Sequence, residues 1–265
     1  QHNDDGPVWG PMWWGHAVSN DLLHWQQVEH ALHPDEMGTM FSGSAVIDHQ
    51  NKAGFGKEAM LLFYTAAGSH AQPKKKFTQC LAVSIDGKTF TKFEGNPVVD
   101  WIEADNRDPK VIWHASSQRW LMALYLDDDR YCLLNSEDGL HWEMLQKLTV
   151  KNDRECPDFF PLTDDSGVAR WIFHGANGRC TIGSFDGSQY TREVVDQKLD
   201  QGCNSYASQT WSNTPDGRCI QVSWMAGGKY PEMPFNQQLS IPVELSLLGE
   251  GDQVSIARYP IKELE

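Results

Sequence analysis

Two carboxylates stand apart from the rest of the 36 acidic residues because of where they fall: Asp108 in Arg107-Asp108-Pro109, and Glu155 in Glu155-Cys156-Pro157. Each triplet begins 29 residues ahead of a recurring turn, at Ser136 and at Ser184. Each is followed by a strand-like segment, Lys110 to Trp113 and Asp158 to Leu162. Acids at equivalent points of consecutive repeats are expected to point toward one end of a shared axis. A pair of that kind suits glycosidic bond cleavage, in which one carboxyl protonates the leaving oxygen and another stabilises the oxocarbenium-like centre. An acid in this role needs a raised pKa, supplied by burial or a neighbouring negative charge. The competing reading is that both residues merely cap turns or end strands.

The elements that must carry the pair are visible as a repeat. The pattern Ser, any residue, Asp, Leu or Gly, two residues, then an aromatic occurs at Ser19 to Trp25, Ser84 to Phe90, Ser136 to Trp142 and Ser184 to Tyr190. The spacings are 65, 52 and 48 residues. Asp-Gly between strand-forming runs is a hairpin signal, since Gly tolerates positive φ and Asp bonds its own turn. Phe41-Ser42-Gly43-Ser44 precedes the second copy, and Tyr206-Ala207-Ser208-Gln209 opens a last unit with its own turn at Asp216-Gly217. Helix signals are nearly absent, and Ala59 to Tyr64 is a short, continuous apolar run that reads as a buried strand. Repeats near 50 residues with several short strands each predict a propeller. The expectation is an all-β, five-bladed β-propeller over residues 1–258 whose first blade is incomplete and lacks its inner strand. Residues 259–265 then form an exit segment toward a further domain.

Composition narrows the ligand. The net charge is −14, which disfavours nucleic acid and anionic membranes, since both demand a basic surface. The one basic run, Lys74-Lys75-Lys76, reads as a solvated loop. Eleven tryptophans in 265 residues serve a β-rich core, and can also offer flat faces to sugar rings. Six cysteines show no C-x-x-C spacing, so no zinc site is expected from them, and they are too sparse for a disulfide scaffold. No stretch approaches the ~20 apolar residues of a membrane span.

Taken in order, several segments resemble glycoside hydrolase family 32, the family of invertases, levanases and inulinases. Trp14-Gly15-His16-Ala17-Val18-Ser19 with Asp21-Leu22 and Trp25 is similar to its first-blade signature. Phe41-Ser42-Gly43-Ser44-Ala45, Arg107-Asp108-Pro109-Lys110-Val111 and Glu155-Cys156-Pro157-Asp158 resemble its next three motifs. Tyr206-Ala207-Ser208-Gln209-Thr210 and Pro234-Phe235-Asn236-Gln237-Gln238 resemble its last blade. The resemblance implies that Glu155 is the general acid/base and Asp108 the transition-state stabiliser on the fructose hydroxyls. It implies that Arg107 holds the carboxylates and tunes the acid. Gln1, Trp9, Phe41, Ser42, Cys156, Trp224 and, more weakly, Tyr206 are expected to shape a pocket for the terminal fructosyl ring of a fructose-containing saccharide. Trp13, Trp14 and His16 are read as structural, since no Ser or Cys nucleophile accompanies His16. No metal or organic cofactor is expected, and the family suggests a secreted or periplasmic setting.

The resemblance also departs in one place. The family nucleophile is an Asp in an Asn-Asp-Pro-Asn-Gly segment that precedes the Gln-His-Asn run, and the sequence opens at Gln1-His2-Asn3. Asn3-Asp4-Asp5-Gly6 falls on the wrong side of Gln1 to replace it. The expected activity is retaining release of fructose from sucrose, levan or inulin, with residues 1–265 alone inactive. A fructosyltransferase would use the same residues, and a non-catalytic fructan-binding propeller would need only the pocket.

Overall fold

The computed structural model describes residues 1–233 and 235–265. Pro234, which opens the last of the motifs, lies outside them, as do the side chains of Val195 and Asp196. Among the described residues the strands form five antiparallel sheets. The first holds β1 (His2–Asn3), β2 (Met12–Ser19) and β3 (Trp25–Leu32). The second holds β4 (Thr39–Asp48), β5 (Ala59–Ala67), β6 (Thr78–Ser84) and β7 (Thr91–Lys92). The third holds β8 (Arg107–His114), β9 (Arg119–Asp127), β10 (Arg130–Ser136) and β11 (Glu143–Thr149). The fourth holds β12 (Asp158–Thr163), β13 (Ala169–His174), β14 (Arg179–Phe185) and β15 (Tyr190–Lys198). The fifth holds β16 (Ser205–Thr210), β17 (Cys219–Met225), β18 (Val243–Leu248) and β19 (Ser255–Pro260). This is the five-bladed propeller read from the repeat. Its last strand runs through Pro260, so residues 259 and 260 belong to the fifth blade and not to an exit segment.

The repeated turn joins the third and fourth strands of the second, third and fourth blades. At Ser84 the hydroxyl accepts from Gly87 N at 3.0 Å, and Asp86 accepts from the N–H groups of Lys88 and Thr89, both at 2.8 Å. Ser136 and Asp138 do the same for Gly139, Leu140 and His141. In the first sheet the same turn joins β2 to β3, with Ser19 accepting from Leu22 N at 2.8 Å. Hence β2 and β3 correspond to third and fourth strands. Among the described residues the first blade has no counterpart of β4, β8, β12 and β16.

Blades stack face to face, so a central strand is buried on both sides and reads as a continuous apolar run. In β9, Trp120, Met122 and Leu124 join Phe63 and Leu81 of the second blade, while Leu121 and Ala123 join Phe159 and Phe173 of the fourth. Ala31, Leu32, Met40 and Tyr64 fill the space between the first and second blades, and Phe160, Ile172, Leu245 and Leu247 that between the fourth and fifth. Each large side chain so buried contributes roughly 1.5–3 kcal/mol. The fifth blade meets the first through Trp25 and Trp211, 5.9 Å apart, and reaches the second where Ile47 N donates to Asn213 Oδ1 at 3.1 Å.

Candidate active site

The strands β4, β8, β12 and β16 lead each blade, and their starting ends gather around one cleft of about 280 Å³. Its lining includes Gln1, Ser42, Asp108 and Cys156, all expected from the sequence, and also Trp14, Gly15, Gly43, Ala207 and Gln209. A larger hollow of about 390 Å³ opens at the other ends of the same strands, between Trp113, Trp211, His49 and Asn213. It contains neither acid of the pair, whereas the smaller cleft is lined by Asp108, though not by Glu155.

The backbone at that cleft is bent in the same manner blade after blade. Strand pairing slips between Met40 and Gly43, between Arg107 and Lys110, and between Tyr206 and Gln209. Asp108, Glu155, Cys156 and Ala207 all take positive φ, at 65°, 52°, 37° and 51°. Side chains other than Gly reach this region at a cost of about 1–3 kcal/mol each, and such residues cluster at functional sites. A bulge re-aims a side chain out of the pleat. Here it re-aims Asp108, while Glu155 lies just ahead of β12, whose pairing carries no slip, and meets Asp108 through Arg107.

Arg107 holds the two together. Its Nη2 donates to Glu155 Oε1 at 2.7 Å, and its Nε stands 3.8 Å from Asp108 Oδ2. The guanidinium lies over the Tyr125 ring at 4.6 Å. Asp108 is almost wholly enclosed, with 7% of its side chain exposed, against 28% for Glu155. Its Oδ2 accepts from Cys156 N at 3.1 Å and from the Cys156 thiol at 3.5 Å. Its own N–H donates to Thr65 Oγ1 at 2.9 Å, and Thr65 donates to Gln79 Oε1. Gln209 Nε2 donates to the carbonyls of Cys156 and Pro157 and fixes the neighbouring bend. The Tyr206 hydroxyl donates to Glu155 Oε2, and its ring meets Trp224 edge-on at 5.9 Å.

The two acids are tuned in opposite directions. Burial pushes the Asp108 carboxyl above the usual range, and Arg107 and the Cys156 N–H only partly offset it. Burial also drives Glu155 upward, but hydrogen bonds from Tyr206 and Arg107 outweigh it and leave the group below its ordinary value. The raised pKa expected of an acid is therefore absent from Glu155 in the open cleft. Burial, then the Asp108 charge, raises the Cys156 thiol, so it stands as a neutral donor.

The other expected residues, Trp9, Phe41, Tyr206 and Trp224, are not among those that line the cleft. Trp9 meets Phe41 edge-on at 5.5 Å, and the Phe41 carbonyl accepts from the Trp14 indole at 2.9 Å. Trp14, read as structural, thus braces the second motif and lines the cleft as well. Gln1 Nε2 approaches the Met40 carbonyl at 3.5 Å. Sequence reasoning missed Gln209 and Thr65. Gln209 sat in a quoted motif, where a side chain three residues past the bend was a usable signal, while Thr65 fell just after the apolar run Ala59 to Tyr64 and carried none.

Comparisons with known proteins bear on this arrangement. The family model described as "Glycosyl hydrolases family 32 N-terminal domain" matches residues 1–260. A levanase of Bacillus subtilis (strain 168) is 36% identical over 296 residues, covering 100% of the chain and 43% of the levanase. Invertase 1 of Saccharomyces cerevisiae is 30% identical, covering 94% of the chain and 52% of the invertase. The structure of β-fructofuranosidase from Schwanniomyces occidentalis complexed with fructosyl-erythritol superposes with a TM-score of 0.88 at 29% identity, covering 98% of this chain and 56% of that one. Exo-inulinase from Aspergillus awamori gives 0.86 at 25% identity, covering 98% and 61%. The chain spans about half the length of the curated relatives it matches.

Proposed function

Because the chain belongs to glycoside hydrolase family 32, we propose that it is the propeller of a retaining enzyme that releases fructose from β-fructosides such as sucrose, levan or inulin. The observation that carries this reading is the Arg107 bridge between Glu155 and Asp108, on the frame shared with a levanase and a β-fructofuranosidase. Glu155 protonates the leaving oxygen as an Asp from the segment ahead of Gln1 attacks the anomeric carbon. Water then releases fructose with Glu155 acting as base.

Asp108 accepts hydrogen bonds from the fructose hydroxyls. Its enclosed carboxylate lacks water's donors, so hydroxyl donors bind it strongly, and most strongly as positive charge develops on the ring. Arg107, between the two carboxyls, holds both oriented. For Glu155 to act as an acid, its proton affinity must rise from that of the open cleft. Burial is already the largest influence on it, and a bound sugar that displaces water adds to that push, as does a second carboxylate beside it.

The test is fructose release by protein that carries the upstream segment. Glu155→Gln keeps the side-chain shape and removes the transferable proton, so kcat is expected to fall about 10³-fold, the scale of a lost general acid. Fructose binding is expected to persist. Undiminished turnover in that variant removes Glu155 from the mechanism.

A further inference from the structure

We propose that His2, Asp4 and His30 form a surface site for a borderline divalent transition ion of the Zn²⁺ class, fastening β1 to β3 across the first blade. One ligand atom from each of the three lies within 4.8 Å of the other two. His2 Nε2 stands 3.3 Å from Asp4 Oδ1. The His2 and His30 rings are stacked, 5.2 Å apart and 19° from parallel. A second observation points inward at the same place: His30 Nε2 is buried and has no hydrogen-bond partner. A buried imidazole nitrogen without a partner has lost water's hydrogen bonds and gained none, and an ion there restores the loss.

The local sequence explains how two outer strands approach over a third. Gly15 stands on the intervening strand, where a Cβ would lie in ordinary contact with His2 Cβ at 3.8 Å, so His2 passes directly over β2. Trp13 packs its ring edge-on against both His30, at 5.2 Å, and His33, at 4.5 Å, and so orients the imidazoles. Two imidazoles and one carboxylate are a donor set for zinc, completed by water on the exposed side. Zn–N and Zn–O bonds of about 2.0–2.2 Å need the ligand atoms roughly 3.4 Å apart, a closure of about 1 Å by side-chain rotation. Calcium and magnesium, which take six or more oxygen ligands, do not match. His2 and His30 come from separate strands and Asp4 from the turn after β1, so no spacing in the sequence announced the three together. Because β1 is only two residues long and Gln1 beside it lines the cleft, an ion here would steady the wall of the pocket.

The experiment is calorimetric titration of the 265-residue chain with ZnCl₂, repeated with MgCl₂, alongside His2→Gln, His30→Gln, Asp4→Asn and, as a control at an exposed histidine elsewhere, His141→Gln. The expected result is one Zn²⁺ per chain at micromolar affinity, no Mg²⁺ binding, and at least tenfold weaker Zn²⁺ binding in each of the first three variants with the control unchanged. Asp4 sits in an exposed turn, so its variant tests the site even if a histidine variant misfolds. Zn²⁺ affinity weaker than millimolar in the parent chain, or micromolar affinity that survives in Asp4→Asn and both histidine variants, overturns the proposal.

Discussion

Asp108 combines a left-handed backbone, near-complete burial and a carboxyl pushed up by that burial. Each is a cost to folding, and together they are what a site gives up in stability to hold a carboxyl in a fixed place. A carboxyl whose folded pKa exceeds its unfolded value binds protons more tightly when folded. Its contribution to stability is then greatest below the ordinary aspartate value of 3.8 and falls as pH rises through the folded pKa. Asp108→Asn keeps the shape and the acceptor for Cys156 N, and cannot ionise. Thermal unfolding should therefore show the variant more stable than the parent at pH 7, with the gap narrowing toward pH 3. A lower melting temperature at pH 7 would mean that Arg107 stabilises the carboxylate by more than burial costs it.

At the scale of elements, the cleft depends on how closely β4 lies on β5. A Cβ on Gly43 would stand 1.9 Å from the Phe63 carbonyl oxygen, a backbone atom that cannot step aside. Gly43→Ala is expected to cost about 3 kcal/mol, the upper range for overpacking, and to displace Ser42 at the cleft. Gly87→Ala, at φ 66° with nothing within 4 Å, is expected to cost about 1 kcal/mol. Urea unfolding of the two variants checks the contrast, and equal losses would refute it. Such elements were legible in the sequence to different degrees. The Ser-x-Asp turns could be read because each is held by atoms within six residues, and their offsets to Asp108 and Glu155 followed. The roles of Thr65 and Gln79 beneath Asp108, and the downward shift of Glu155, arise between residues of different blades and leave no local pattern. That the first blade has no inner strand among the described residues was legible as well, because the Ser19 turn matches the turns between third and fourth strands elsewhere.

At the scale of the whole molecule, the inner strands are tied beneath the cleft by one buried polar cluster. Lys110 of β8 pairs with Asp158 of β12 at 3.1 Å, with 2% and 0% of the side chains exposed. Lys110 Nζ also donates to Thr210 of β16, whose N–H and hydroxyl donate to Asp158. Removing one partner strands the other charge, so Lys110→Met is expected to cost about 3–5 kcal/mol, and Lys110→Met with Asp158→Leu markedly less. A double variant as unstable as the single in thermal or urea unfolding would mean the cluster matters for its shape and not its charge. With the third, fourth and fifth blades so anchored, Glu155 and Asp108 are held in place whether or not the first blade is complete. Binding and turnover should then separate. A retaining mechanism needs a nucleophile about 5 Å from the acid, on the opposite face of the sugar. Glu155 cannot serve as both, and Asp108, enclosed beneath Cys156 and Arg107, is placed for hydroxyls and not for the anomeric carbon. Expressed as residues 1–265 alone, the chain is expected to bind fructose weakly and to release almost none from sucrose, inulin or levan. Joined to an upstream segment carrying the Asn-Asp-Pro nucleophile, it should gain several orders of magnitude in kcat, the scale of supplying a covalent catalyst. Reducing-sugar release by the two forms, with fructose binding measured by calorimetry on each, decides the matter. Full turnover by residues 1–265 alone would show that the nucleophile lies within them, and the division of labour between Asp108 and Glu155 would have to be drawn again.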